Sequence, residues 1–337
     1  MTVRLAVATV AAVLGLAAPV RAQALLQLPG PSTVSAYRGT IAFSQLNPAT
    51  HRWSLMLRTG EVVTAADVAP RGVPFDVDLG PDAHGRTVAV YSRCATEPAP
   101  LTTGAIAYPS RARGCRIYRY DPAAGTERRQ ASGYLPAIWK GTLVFARGDR
   151  DATLYARASG RTRRLDDGGR RFCRARNRAC ERGTAVRYTG VDVAGSRAAV
   201  ARELDGIGEF PATQMVLTGP RRRPVVVEAR VNGLSFRAMR FPAFDAGRLY
   251  YAEACAGDPA SCLRLFRRYS IATGTLASAP SPSLYLVGFS QSGPDAYSVQ
   301  AAADYGANRF ENACQGEPPD TTTACTLSHT RPHYARD

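Results

Sequence analysis

The 337-residue chain carries 43 lysines and arginines against 27 aspartates and glutamates, a net charge of +16, and Lys140 is its only lysine. A basic surface attracts polyanions through long-range fields, but the basic runs lack the succession of interleaved aromatic residues that a stacking platform for single-stranded nucleic acid needs, so no nucleic-acid partner is expected. Eight cysteines are present without a single Cys-x-x-Cys pair, so the usual spacing of a structural zinc site is missing.

The first segment reads as a targeting signal. Met1 to Arg4 gives a positive start, Leu5 to Ala18 is an uncharged apolar run, and Val20-Arg-Ala22 and Ala22-Gln-Ala24 offer cleavage after residue 22 or 24. The run is shorter than the about 20 apolar residues that a spanning helix needs. Residues 1–22 are therefore expected to be removed, leaving a secreted or extracytoplasmic protein without a transmembrane span.

Residues 25–337 read as one repetitive domain. A turn glycine leads into a short apolar strand at Gly39, Gly85, Gly141, Gly195, Gly247 and Gly293, in steps of 46, 56, 54, 52 and 46 residues. A strand-based period near fifty is the signature of a β-propeller with one four-stranded blade per repeat. The strand before each glycine is the inner one: Val34 to Tyr37, Phe75 to Leu79, Tyr134 to Trp139, Arg187 to Val193, Phe236 to Phe241 and Leu284 to Phe289. Two more strands flank a tight glycine turn at Gly60, Gly125, Gly160 and Gly274, the hairpin pattern. The last repeat stops after Thr326 to Thr330 and lacks its outermost strand, which Leu25 to Leu28 is placed to supply. The predicted fold is all-β: a six-bladed propeller of four-stranded antiparallel blades, its ring closed by an N-terminal strand, with no helix of useful length after the signal.

The cysteines fit this pattern. Cys94 ends one strand and Cys115 opens the next, and Cys255 with Cys262 and Cys314 with Cys325 repeat the arrangement. Neighbouring antiparallel strands bring such residues within bonding reach, and an exported protein meets an oxidising compartment. The expected disulfides are Cys94–Cys115, Cys173–Cys180, Cys255–Cys262 and Cys314–Cys325, tying the blades locally.

Alternate residues of the inner strands point into the central channel. That nominates Asp76, Asp78, Tyr134, Tyr188, Asp192, Arg237, Arg240 and Tyr285 as ligand-binding candidates, with Asp76 and Arg237 as an ion pair across the channel. A shift of one residue would turn the same side chains into the core. A second candidate region is basic. Ten arginines fall between Arg161 and Arg187, including Arg170, Arg171, Arg174, Arg176 and Arg178, and the triplet Arg221, Arg222 and Arg223 lies between two prolines. Both clusters are candidates for polyanion binding; the plainer reading is a solvated surface.

No Gly-x-Ser-x-Gly elbow presents a nucleophile, and the four histidines (His51, His84, His329 and His333) are too dispersed to chelate one ion. No cofactor and no metal is expected. Trp53 and Trp139 read as core.

The stretch Asp78-Leu-Gly-Pro-Asp82-Ala-His-Gly85, leading into Arg86-Thr-Val-Ala-Val-Tyr91, resembles the Pro-Asp-Gly turn and apolar strand of TolB-like and WD40-like six-bladed propellers. Here Ala83 and His84 separate the aspartate from the glycine, and weaker echoes occur at Asp192 to Gly195 and Phe244 to Gly247. The resemblance implies the fold across the repeat array but little about activity, since one fold hosts many functions. Three readings stay open. The preferred one is a non-catalytic, monomeric binding or scaffold module for a cell-envelope or extracellular partner, because a rigid disc with variable loops presents broad surface. The others are a hydrolase or lyase acting on acidic carbohydrate through channel carboxylates such as Asp76, and a basic envelope protein that holds polyanions through its arginines.

Overall fold

A computed structural model describes residues 22–96, 113–148, 151–174, 180–208, 211–232, 236–256, 265–281, 286–300 and 325–336. Every helical or extended element among them is a strand. The proposed signal segment lies outside the described residues.

Strand β1 (Gln23–Leu28) comes first in sequence but belongs to the last blade. Blade 1 is β2 (Val34–Tyr37), β3 (Thr40–Asn47), β4 (Arg52–Thr59) and β5 (Val62–Ala65). Blade 2 is β6 (Asp78–Pro81), β7 (Thr87–Arg93), β8 (Arg116–Asp121) and β9 (Thr126–Ser132). Blade 3 is β10 (Tyr134–Trp139), β11 (Thr142–Arg147), β12 (Thr153–Ala158) and β13 (Arg161–Arg164). A separate two-stranded hairpin, β14 (Arg171–Cys173) and β15 (Cys180–Arg182), precedes blade 4, which is β16 (Ala185–Ala194), β17 (Arg197–Asp205), β18 (Ala212–Thr218) and β19 (Val225–Arg230). Blade 5 is β20 (Phe236–Asp245), β21 (Arg248–Ala256), β22 (Leu265–Ser270) and β23 (Leu276–Pro280). Blade 6 is β24 (Leu286–Ser292), β25 (Asp295–Gln300), β26 (Cys325–Thr330) and, from the other end of the chain, β1.

The six repeat glycines all sit at positive φ, between 60° and 81°, a conformation that glycine adopts without steric cost. At Gly141 the preceding Lys140 is also left-handed, at 46°, as a tight hairpin turn between twisted strands requires.

The strands are apolar on both faces because each blade is sandwiched between two others. Successive side chains alternate in direction, so Ile41 and Phe43 join an apolar cluster with Val287, Val299 and Leu327 of blade 6, while Ala42 joins Phe75, Val77 and Tyr91 of blade 2. Val88 and Val90 meet Leu143 and Phe145 of blade 3, whereas Ala89 turns back toward blade 1. In blade 4, Val200 packs with blade 3 and Ala199 and Ala201 with blade 5. Burial of these surfaces, at about 25 cal/mol per Å2, holds the disc together.

Ring closure follows the expected route: β1 pairs antiparallel with β26, placing Gln27 opposite Thr326 and Leu28 opposite Cys325. Leu28 is 1% exposed. Such pairing removes the unsatisfied sheet edge that blade 6 would otherwise present. The far C-terminus adds an element that the repeat pattern does not announce, since β27 (Ala335–Arg336) pairs with β23 and gives blade 5 a fifth strand.

Two expected disulfides are formed, Cys94–Cys115 and Cys173–Cys180. Cys325 is disulfide-bonded too, while its expected partner Cys314 lies outside the described residues, as do Cys262 and the side chain of Cys255. The inner strand of blade 2 starts at Asp78 rather than at Phe75, because Phe75 spends its N–H on the hydroxyl of Ser44 instead of on a ladder.

Candidate functional site

All six inner strands converge on one cavity of about 110 Å3. Its wall is mainly apolar, with Trp139, Phe241, Phe244 and Phe289 prominent, and Asp76, Asp78 and Asp192 bring carboxylates to it. Trp139 is half-buried and meets Tyr37 edge-on at 6.2 Å between ring centroids. It is thus a cavity wall residue rather than simple core, while Trp53 packs against the blade 1–blade 2 cluster as expected.

Alternation fails along four of the six inner strands because they are bulged. The ladder shifts register between Tyr134 and Ala137, between Tyr188 and Gly190, between Arg240 and Ala243, and between Leu286 and Gly288. A bulge inserts an unpaired residue and reverses which face the following side chains take. Tyr188 and Asp192 share a parity in sequence, yet Asp192 lines the cavity and Tyr188 does not. Tyr188 is 2% exposed and donates its hydroxyl to Asp167 at 2.6 Å. Tyr134 is likewise turned away, donating to the Gly148 carbonyl at 2.7 Å, and Arg240 pairs with Glu203 at 3.1 Å. These three channel assignments are corrected by the bulges. The side chains of Arg237 and Tyr285 lie outside the described residues.

Two of the bulges carry backbone strain. Leu135 and Phe241 stand at φ of 47° and 56°, each directly before a proline. Bulky side chains rarely adopt that region, and the restriction before proline adds to the cost, about 1–3 kcal/mol each. Both residues line the cavity.

The three carboxylates hold the ring together as well as facing the cavity. Asp78 of blade 2 accepts the Ile138 N–H of blade 3 at 2.8 Å and the Ser35 hydroxyl of blade 1 at 3.0 Å. Asp192 of blade 4 accepts the Phe244 N–H of blade 5 and its neighbour Val193 N–H. Ser290 of blade 6 accepts the Ala36 N–H of blade 1 at 2.9 Å, repeating the device. Asp76 accepts four donors: Ser92 N–H at 2.8 Å, Ser92 hydroxyl at 2.6 Å, Leu135 N–H at 2.9 Å and Arg71 guanidinium at 3.4 Å. Among the described side chains the cation beside Asp76 is Arg71, from the loop before β6; the expected pairing with Arg237 falls on a side chain outside the described residues.

Burial raises Asp78 to about 7, against the lowering effect of the bonds from Ile138, Ser35 and Leu79. Burial likewise pushes Asp192 well above the usual carboxylate range, and the charge of Asp78 adds to it. Both residues keep some accessible surface; the surrounding protein desolvates them even though the cavity reaches them. Among the described residues no group of three or more histidines, cysteines, aspartates or glutamates is arranged to hold a metal ion. His51 and His84 occupy turns, and His329 contacts Asp295 at 2.9 Å.

The basic region lies on the hairpin β14–β15 and the neighbouring edge strand β13. Arg170 makes a bidentate pair with Asp151. Arg171 stands directly opposite Arg182 across the hairpin, and both are exposed, as is Arg174. Arg176 and Arg178 lie outside the described residues. Arg221, Arg222 and Arg223 occupy an exposed turn between β18 and β19.

Beneath this hairpin is a buried cluster that the sequence reading passed over. Arg202, 2% exposed, donates to the carbonyls of Asp167 at 2.6 Å, Gly169 at 2.8 Å and Arg171 at 2.7 Å, and to Gln214 at 2.6 Å. Its guanidinium lies 3.3 Å from the Asp167 carboxylate. Another unforeseen feature is Thr189, a cavity wall residue that is 3% exposed and whose hydroxyl has no hydrogen-bond partner.

No protein-family model and no curated protein sequence matches the chain. Solved structures match it at the level of fold. The β-propeller domain of the trilobed protease from Pyrococcus furiosus is 10% identical, covering 88% of this chain and 77% of that one with a TM-score of 0.43. The calcium-binding protein regucalcin from Agrobacterium tumefaciens is 10% identical over 93% and 96% of the two chains, with a TM-score of 0.47. The Aleuria aurantia lectin is 9% identical over 80% and 87%, with a TM-score of 0.45. These values describe a shared propeller architecture and assign no activity.

Proposed function

We propose that this chain is an exported binding module that recognises its partner at the mouth of the central cavity, and that it is not a catalyst. The observation that carries this reading is the use already made of the cavity carboxylates. An ionised carboxylate offers about four acceptor positions, and Asp76 has four donors on it. An acid–base residue must be free to exchange a proton with substrate, so the rival reading of Asp76 as the acid or base of a hydrolase or lyase loses its leading residue. What remains is a fixed, largely apolar recess assembled from all six blades, the kind of concave site that binds ligands. Export is supported by the disulfides and by the charged and apolar pattern of the first 22 residues.

The basic hairpin supports a second contact, to an anionic envelope polymer. Arg171 and Arg182 face one another with like charge, an arrangement that costs stability unless an anion sits between them. Site-specific photo-cross-linking in the native envelope tests the main reading. A photoreactive residue at Val191, in the cavity wall, is expected to give one discrete adduct, and the same residue at Val62, 65% exposed on the outer edge of blade 1, to give none. Adducts from Val62 alone would overturn it.

A further inference from the structure

Asp78 and Asp192 differ from Asp76 in what they still have to offer. Asp78 receives bonds from Ser35, Ile138 and Leu79, and Asp192 from Val193 and Phe244. With about four acceptor positions per carboxylate, Asp78 keeps about one and Asp192 about two. Thr189, in the same wall, adds a nearly buried hydroxyl without a partner, and a buried polar group left unpaired costs stability. The cavity thus presents spare acceptors from blades 2 and 4 within a lining that is otherwise largely hydrocarbon and aromatic.

We infer that the central cavity binds a primary ammonium group carried on a short aliphatic chain, with the ammonium seated between Asp78 and Asp192. This rests on the reading of the cavity as a binding site and names the chemistry it takes. An ammonium has three donors and no acceptor, which suits a site whose unfilled positions are acceptors. Its hydrocarbon stem meets Ile138, Val191, Phe244 and Phe289, and Trp139 adds an aromatic ring to the same wall.

The volume sets a limit. A cavity of about 150 Å3 accommodates the six heavy atoms of benzene, so about 110 Å3 encloses roughly four, and the end of a longer stem projects through the cavity mouth. A metal ion fits less well, since calcium requires six to eight oxygen ligands and most of this wall is carbon. The overall charge of +16 repels cations in general, so any ammonium held here is held by these two carboxylates at short range.

The titratable and charged groups on the cavity wall are Tyr37, Arg71, Asp76, Asp78 and Asp192. Because burial raises Asp78 to about 7 and Asp192 well above the usual carboxylate range, an ammonium binding at neutral pH displaces a proton from the pair. Affinity therefore rises as pH rises.

The test is calorimetric titration of the mature protein with pentylamine hydrochloride, and with 1-pentanol as the neutral analogue. Pentylammonium is expected to bind saturably at pH 8.5, at least tenfold more tightly than pentanol, and to weaken at least tenfold at pH 5.5. The Asp192→Asn variant is expected to lose at least tenfold. If that variant does not fold, the pH comparison on the unaltered protein decides alone. Equal binding of pentanol, equal affinity at the two pH values, or no saturation by about 10 mM overturns the assignment. Competition by Nα-acetyl-lysine amide supports a partner's lysine side chain as the source, and binding restricted to free amines supports a small molecule. Should pentylammonium fail while the cross-link from Val191 persists, the ammonium assignment falls and the binding-module reading stands.

Discussion

Replacing Arg202 with methionine removes a buried cation that fastens the basic hairpin to blade 4. Methionine fills much of the volume but supplies no donor. The carbonyls of Asp167, Gly169 and Arg171, together with Gln214, lose the donor that now binds them. The Asp167 carboxylate, 4% exposed, keeps Tyr188 as a donor but loses its counter-charge. Breaking a buried pair by removing one partner costs about 3–5 kcal/mol, a large share of the 5–15 kcal/mol that typically separates folded from unfolded. Urea unfolding followed by circular dichroism reads the loss as a lower midpoint at unchanged slope. Arg171→Ala, at an exposed position of the same hairpin, serves as the control and should change stability by no more than about 0.5 kcal/mol. A loss below about 1 kcal/mol for Arg202→Met would refute the claim that this guanidinium carries the hairpin.

Other expectations follow from the same geometry. Asp78 is raised to about 7 from 3.8, so the folded state binds a proton that the unfolded state releases across that interval, and its contribution to stability falls as pH rises from about 4 to 7. Asp78→Asn should flatten the dependence of the urea midpoint on pH over that window, and an unchanged slope would count against the assignment. Replacing Cys94 and Cys115 together by serine opens a link of 21 residues and should cost about 3 kcal/mol, read as a lower midpoint; a loss under 1 kcal/mol would mean that the loop is held by other contacts. Gln27→Cys combined with Thr326→Cys, directly opposed across the closing strands, should oxidise to a single intramolecular disulfide detectable by mass after alkylation. Free thiols in the folded protein would argue that the ring closes elsewhere.

Much of the architecture was legible from residue spacing because a propeller repeats a local rule. Gly39, Gly85 and their four counterparts mark where a hairpin must turn through left-handed backbone, and the need to cover the last edge identified the N-terminal strand as the closing one. The site was less legible. Asp76, Asp78 and Asp192 reach the cavity, but Tyr134, Tyr188 and Arg240 do not, because bulges invert the alternation on which their placement relied. A signal for those bulges was available: Pro136, Gly190, Pro242 and Gly288 interrupt the inner strands, and proline or glycine within a strand marks a bulge or a close backbone approach. At Gly190 a Cβ would stand 2.6 Å from Pro242, so the small residue lets blades 4 and 5 meet. The Asp167–Arg202–Tyr188 cluster was harder to foresee, since its members are 21 and 35 residues apart and belong to different elements. In a chain so rich in arginine, nothing in composition distinguishes Arg202 or the other buried arginines, Arg71, Arg240 and Arg267, from the exposed ones.

Co-sedimentation of the mature protein with its native cell envelope, at low and at high salt, tests the central claim most directly when paired with a variant whose cavity is filled by Val191→Trp. Binding at the cavity mouth predicts saturable association that survives several hundred millimolar salt and is lost in the filled variant. Association that disappears with salt, because exposed charges are screened within about 8 Å at physiological ionic strength, and that is indifferent to Val191→Trp would place the work on the arginine hairpin and contradict the account.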